Sequence, residues 1–264
     1  MGGLGGRDGV EAREGSLVSA PVRTFLRRVR VWAGVATLAL AGAAGAADLS
    51  GDVGIGAVRS PHDIRGVRTS TDPMPYLNFT WGPVFARIDT FGVQLAPLGD
   101  GALELVGQYR GDGYRVSGLR RRDDAIPLGL GTLQVTPVGA FGLNVLGDLG
   151  PSGGLIVQAR YLARFRLGRT TLFPELGLEF EDAAYVRYYA GVSGSDLATV
   201  GPAYRPGAAL NPHLGLLVET PLTDRIELHA YWRAQFLDDA IRRSPLSTGD
   251  RVRSTVLLGL AYRF

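Results

Sequence analysis

The sequence predicts an all-β protein: a transmembrane, antiparallel, up-and-down β-barrel preceded by a cleavable signal peptide. Three observations carry this expectation. The first 47 residues are laid out as an export signal. The remainder alternates apolar and polar residues with period two, over segments of about ten residues, which is what a tilted strand needs to cross a bilayer. The chain also ends on Phe264 at the close of the last such segment.

Composition narrows the alternatives. The 264 residues are 45% hydrophobic and 20% charged, too apolar for a disordered chain. A mean hydropathy of +0.09 is far too low for a bundle of membrane helices. With no Cys there is no disulfide scaffold, thiolate metal site or cysteine nucleophile. The three His (His62, His213, His229) are far apart in sequence and argue against a histidine metal cluster. All 28 basic residues are Arg. Gly is abundant, at 38 residues, which suits turns and the curved wall of a small barrel.

At the N-terminus, Arg23, Arg27, Arg28 and Arg30 precede an apolar run from Val31 to Ala47 that closes on small residues before Asp48. This is a charged region, an apolar core and a cleavage site, with cleavage expected after Ala46 or Ala47. Met1 to Pro21 carries Asp8, Glu11 and Glu14 ahead of it, and Val22 is a candidate start. Residues 1–47 are therefore assigned to an extension plus signal peptide and residues 48–264 to the barrel. Removing the first segment leaves 22 basic and 22 acidic residues. The net charge of +3 belongs to the signal, and nucleic-acid binding loses its electrostatic support.

Four strands show the alternation most clearly. In one, Leu155, Val157, Ala159, Tyr161, Ala163 and Phe165 oppose Gln158, Arg160, Arg164 and Arg166. In the next, Leu172, Pro174, Leu176, Leu178 and Phe180 oppose Glu175, Gly177 and Glu179. From 226 to 236, Ile226, Leu228, Ala230, Trp232, Ala234 and Phe236 oppose Glu227, His229, Tyr231, Arg233 and Gln235. The last places Val256, Leu258, Leu260, Tyr262 and Phe264 on one face. In a closed barrel the apolar faces meet lipid and the charged faces meet in the lumen, so Arg160, Arg164, Glu175, Glu179, Glu227 and Arg233 are the expected lumen charges.

Loop lengths give the topology. Tight connections fall at Gly82-Pro83, Leu98-Gly99-Asp100, Thr136-Pro137, Leu167-Gly168-Arg169 and Pro221-Leu222-Thr223, and these are assigned to the periplasm. Long connections, Arg59 to Pro73, Arg110 to Pro127, Asp182 to Leu210 and Asp238 to Asp250, are assigned to the outside. Keeping every long loop on one side requires Val84 to Ala96 to fold back near Asp89-Thr90-Phe91, which makes twelve strands. A single strand there would make ten.

Signals for chemistry are sparse. HExxH, a phosphate-binding Gly-rich loop and GxSxG are all missing from the sequence, and catalytic, cofactor and metal residues are expected to be none. A barrel phospholipase would need a Ser/His pair, and His229 has no Ser near it in sequence, so a hydrogen-bonding role in the lumen is expected for it. Asp123 and Asp124 read as a solvated loop, and Glu179, Glu181 and Asp182 as lumen partners of Arg. Tyr185, Tyr188 and Tyr189 suit an interfacial aromatic girdle better than a sugar platform. The Arg120, Arg121, Arg122 run reads equally as a solvated loop or as a contact for lipopolysaccharide phosphate.

The run YVRYYAGV (Tyr185, Tyr188, Tyr189, Gly191, Val192), then PAYRPGA (Pro202, Tyr204, Pro206, Gly207), IRRSPL (Ile241, Ser244, Pro245, Leu246), GQYRGDGY (Gly107, Tyr109, Asp112, Tyr114) and the ending GLAYRF (Gly259, Tyr262, Arg263, Phe264) together resemble the MipA/OmpV family of MltA-interacting proteins. The likeness covers most of residues 48–264. It implies an outer-membrane barrel of Gram-negative bacteria, set in outer-membrane lipid and lipopolysaccharide. For the name-giving member it implies a non-enzymatic scaffold in peptidoglycan metabolism, joining a lytic transglycosylase (a murein hydrolase) to a penicillin-binding protein (a murein synthase). The terminal Val256, Leu258, Leu260, Tyr262 and Phe264 resemble the signal read by the barrel-assembly machinery. The competing expectation, from the charged inward faces, is a porin-like channel for small solutes.

Overall fold

Each apolar-polar alternation becomes a strand that pairs antiparallel with its sequence neighbours. The computed structural model describes residues 48–264, so the expected signal segment and its expected cleavage at Ala46 or Ala47 lie outside the described residues. The strands are β1 (Leu49–Arg59), β2 (Thr71–Trp81), β3 (Val84–Arg87), β4 (Thr90–Leu98), β5 (Gly101–Gln108), β6 (Leu128–Thr136), β7 (Gly139–Gly147), β8 (Leu155–Leu162), β9 (Phe165–Leu167), β10 (Thr170–Glu181), β11 (Ala209–Pro221), β12 (Ile226–Phe236) and β13 (Val252–Arg263). Pairing of β13 with β1, from Asp52 opposite Arg263 to Arg59 opposite Val256, closes the sheet.

Segments β8 and β9 form one stave of the wall. Leu162 opposes Glu175 and Phe165 opposes Leu172, which is the same register on either side of a break. The break lies opposite Pro174, which has no N–H to donate to the ladder. Counting the two as one gives a closed barrel of twelve strands. The chain folds back between β3 and β4 at Ile88 and Asp89, so Val84 to Ala96 is two strands. Closure leaves only the short β9 segment with a free edge.

The outward face is mostly apolar along the long strands. Leu176, Leu178, Leu258 and Leu260 are each about half exposed, at 56%, 47%, 54% and 48%. A band of such side chains around the whole wall is what lipid rather than water accommodates. The inward face holds Glu104, Glu179, Glu227 and His229, all buried. Among the described residues no helix is long and apolar enough to cross a membrane.

The five tight turns lie at one end of the barrel, with Leu49 and Phe264, and the long connections lie at the other. The loop end contains the helices. They are α1 (Ala183–Ala190), α2 (Leu197–Val200) and α3 (Asp239–Arg242), with a short 3-10 turn, Gly194–Asp196, between the first two. Asp182 starts α1 by accepting a hydrogen bond from the Tyr185 N–H at 2.8 Å, which satisfies one of the helix's unpaired amide donors. Tyr185, Val186, Tyr189 and Ala190 form its buried face.

Candidate functional site at the two ends of the lumen

The loop end is a folded layer. Its hydrophobic centre gathers Ile64, Tyr114, Ala125, Ile156, Tyr185, Tyr189, Val192 and Leu246 from six segments of the chain. Hydrogen bonds stitch the segments together. The Tyr114 hydroxyl donates to the Tyr189 carbonyl at 2.7 Å and the Tyr189 hydroxyl to the Asp123 carbonyl at 2.9 Å. The Ser244 hydroxyl donates to the Ala190 carbonyl at 2.6 Å. Ile64 forms an isolated bridge with Ser247.

Charged groups in this layer are buried in pairs. Arg110 donates to both carboxylate oxygens of Glu179 (2.6 and 3.2 Å), to Glu181 at 2.8 Å and to Asp112 at 2.9 Å. Asp112 also accepts from the Tyr185 hydroxyl at 2.8 Å, and Arg253 bonds Asp63 and reaches Asp112 at 3.4 Å. Arg122 and Asp196 are both fully buried and meet at 2.8 Å, with Arg122 also donating to the Tyr188 and Gly191 carbonyls. Burial alone would raise the Asp112 carboxyl, but the Arg110 and Arg253 guanidiniums and the Tyr185 hydroxyl hold it below its ordinary value. Asp196 is likewise held low against burial by Arg122 and by the Arg120 amide. Burial pushes the Tyr114 phenol up to about 12.

This layer corrects three expectations drawn from sequence. Tyr185 and Tyr189 are not interfacial girdle residues, because they are buried at 2% and 8% exposure inside the loop layer. Arg122 is not part of a solvated run, although Arg121 is exposed and pairs with Asp123. Asp124 is structural, accepting from the Tyr109 hydroxyl at 3.0 Å and the Gly113 N–H at 3.1 Å.

The expected lumen charges other than Arg164 occupy the wall below the layer. Glu179 receives Arg110, Gln158 at 2.7 Å and Gln235 at 2.9 Å, with Arg233 at 3.8 Å. Glu175 lies 2.9 Å from His213 Nε2. His213 packs over Gly177, where a Cβ would stand 2.3 Å from the ring. Arg160 lies opposite Gly177, and its Nε is buried without a hydrogen-bond partner. Glu227 is bonded by Arg263. Arg164 is exposed at the turn end.

The turn end is an open mouth. The β9–β10 hairpin runs past β7, whose pairing with β8 stops at Ala140 opposite Leu162, and so projects Arg164, Arg166 and Arg169 beyond the wall. They line a cavity of about 320 Å³ together with Glu219, Glu227 and Arg263. Behind it Asp52, Glu227 and His229 converge, and the Tyr76 hydroxyl lies 2.9 Å from His229 Nδ1. Sequence reasoning singled out Glu227 and His229 but not Asp52, Tyr76 or Arg263 as their neighbours, nor Arg110 and Asp112 as the hub of the loop layer. Asp112 and its Gly-rich surroundings were visible only as part of a family-like run.

A closed, lipid-faced barrel with short turns at one end and a packed loop layer at the other defines the class as an outer-membrane β-barrel. The chain belongs to the family described as MltA-interacting protein MipA, which matches residues 53–264. It is similar to the outer membrane protein YiaT of Escherichia coli strain K12, 26% identical over 223 residues that cover 80% of this chain and 90% of YiaT. It is also similar to the MltA-interacting protein of the same strain, 23% identical over 222 residues covering 80% and 88%. The outer membrane channel DcaP of Acinetobacter baumannii aligns over 81% of this chain and 82% of its own, at 10% identity and a TM-score of 0.36, too slight a likeness to bear on function. The protein is located in the outer membrane.

Proposed function

We propose that this barrel is a non-enzymatic scaffold of peptidoglycan metabolism, holding a lytic transglycosylase, and with it a penicillin-binding synthase, at the inner surface of the outer membrane. The family match over the whole barrel is the observation that carries this reading, supported by the name of the Escherichia coli relative, MltA-interacting protein. The turn end faces the periplasm in this reading, because short turns lie on that side of bacterial barrels. The loop layer faces out, and the final strand serves the barrel-assembly machinery through Val256, Leu258, Leu260, Tyr262 and Phe264.

The arginines of the projecting β9–β10 hairpin are the docking contact. Arg164, Arg166 and Arg169 are exposed and form no ion pair among the described residues, so their guanidiniums are free to make bidentate bonds with carboxylates of a partner. Co-purification of the detergent-solubilised barrel with a lytic transglycosylase tests this. Retention of the enzyme, lost in Arg166→Glu with Arg169→Glu, is the expected result. Failure to retain any murein hydrolase or synthase, in a barrel that shifts mobility on boiling, overturns the scaffold.

A further inference from the structure

We propose that Asp52, Glu227 and His229 form a binding site for a divalent transition-metal ion, entered from the turn-end mouth. One donor atom from each of the three lies within 4.8 Å of the others, and all three residues are buried. They come from two strands joined through β13. Asp52 on β1 is opposite Arg263, and Glu227 and His229 on β12 are opposite Ala261 and Gly259.

Two unsatisfied atoms point to an absent ligand. His229 is fully buried, yet its Nε2 has no hydrogen-bond partner, and Asp52 Oδ1 likewise has none. A buried imidazole nitrogen left without a hydrogen bond is costly, and its lone pair is a metal donor once the proton sits on Nδ1. The Tyr76 hydroxyl, 2.9 Å from Nδ1 and within a ring stacked 4.5 Å from the imidazole, can accept that proton's hydrogen bond and fix the ring. A hydrogen-bonded partner on the non-ligating nitrogen is what metal-binding histidines have.

Charge leads to the same conclusion. Asp52, Glu219 and Glu227 bring three carboxylates to this part of the lumen, with Glu219 3.8 Å from His229 Nδ1. Among the described residues Arg263 is the one guanidinium paired with them, on Glu227 and at 3.4 Å from Asp52. Asp52 and Glu227 are buried and share that single, half-exposed guanidinium, so the buried pair favours a further positive charge. Arg263 is 48% exposed, so it can swing into the mouth when an ion takes its place between Asp52 and Glu227. One imidazole and two carboxylates select zinc, manganese or iron(II) over calcium and magnesium, which prefer all-oxygen sites. Three protein ligands leave a coordination position open toward the cavity.

The test uses the chelator-stripped full barrel in detergent, titrated with Zn²⁺, Ca²⁺ and Mg²⁺. The expected result is an upward shift of thermal unfolding with Zn²⁺ at one equivalent and none with the other two. His229→Gln and Asp52→Asn each abolish the shift, while Tyr76→Phe weakens Zn²⁺ affinity about 10- to 100-fold. Arg263→Gln retains or tightens binding, because it removes the competing cation. Mobility on unboiled gels confirms that each variant is folded. If the variants do not fold, Co²⁺ added to the unaltered barrel is expected to give a visible absorption band that Zn²⁺ bleaches. No Zn²⁺-dependent shift, a shift that survives in both ligand variants, or no Co²⁺ band overturns the site.

Discussion

At the loop end the buried charges are hydrogen-bonded to one another, whereas at the turn end exposed arginines and two buried polar atoms have no hydrogen-bond partner. Arg110 makes four hydrogen bonds to three carboxylates, and Arg122 and Asp196 are fully enclosed against each other. At the mouth, Arg164, Arg166 and Arg169 form no ion pair among the described residues, and His229 Nε2 and Asp52 Oδ1 lack hydrogen-bond partners. A network closed on itself stabilises a shape, and an open one can accept a ligand without first breaking an internal bond. In the proposed reading, structure belongs to one end of the lumen and recognition to the other.

The largest effect should follow from opening the closed network. Arg110→Ala leaves Glu179, Glu181 and Asp112 buried without their shared cation, and a loss of about 3–5 kcal/mol is expected in denaturant unfolding. An equal loss from Arg166→Ala at the mouth would break the contrast. A mid-wall change calibrates both ends. Leu176→Arg places a cation on the lipid face near the middle of β10 and should cost about 2–4 kcal/mol in bilayers. A small polar substitution at Gly207 in the loop end, where a Cβ meets nothing within 4 Å, should carry no such cost.

Acid should loosen the loop end in two stages. Burial lowers His62 below its ordinary 6.5, so the unfolded segment binds more protons and stability falls as pH drops through that value. Asp112 and Asp196 lie below their ordinary 3.8, so their contribution is present above it and is lost as pH falls through the lower folded values. Protease cleavage within residues 109–127 should therefore rise slightly below pH 6.5 and steeply below pH 3.8. A flat profile would show that the layer is held by its apolar centre alone. The smallest stability effect is expected from Arg166→Glu with Arg169→Glu, within about 0.5 kcal/mol, although partner retention is lost.

Much of the wall was legible in the sequence. Leu176, Leu178 and Phe180 alternate with Glu175, Gly177 and Glu179, and period two states which residues share a face before any partner strand is known. The fold-back in Val84 to Ala96 followed from keeping long loops together, even though its turn at Ile88 and Asp89 has no Gly or Pro to mark it. The loop layer was not legible. Arg110 and Glu179 are 69 positions apart, and Asp63 and Arg253 are 190 apart. Local pattern carries no information at that distance, so Arg122 looked like one charge in a solvated run and Tyr185 like a membrane-facing aromatic.

By itself the sequence determined the barrel: its long strands, its lipid-facing side and the family it resembles, because those rest on periodicity and on spaced motifs along the chain; it left twelve strands against ten to the structure. Only the tertiary structure decided what fills the lumen. Closing the sheet brings β1 and β12 to either side of β13, which places Asp52 beside Glu227 and His229. Folding four long loops over one mouth buries Arg110, Arg122 and their carboxylates. Long-range electrostatic pairing depends on distances through space, and those exist only once the barrel has closed.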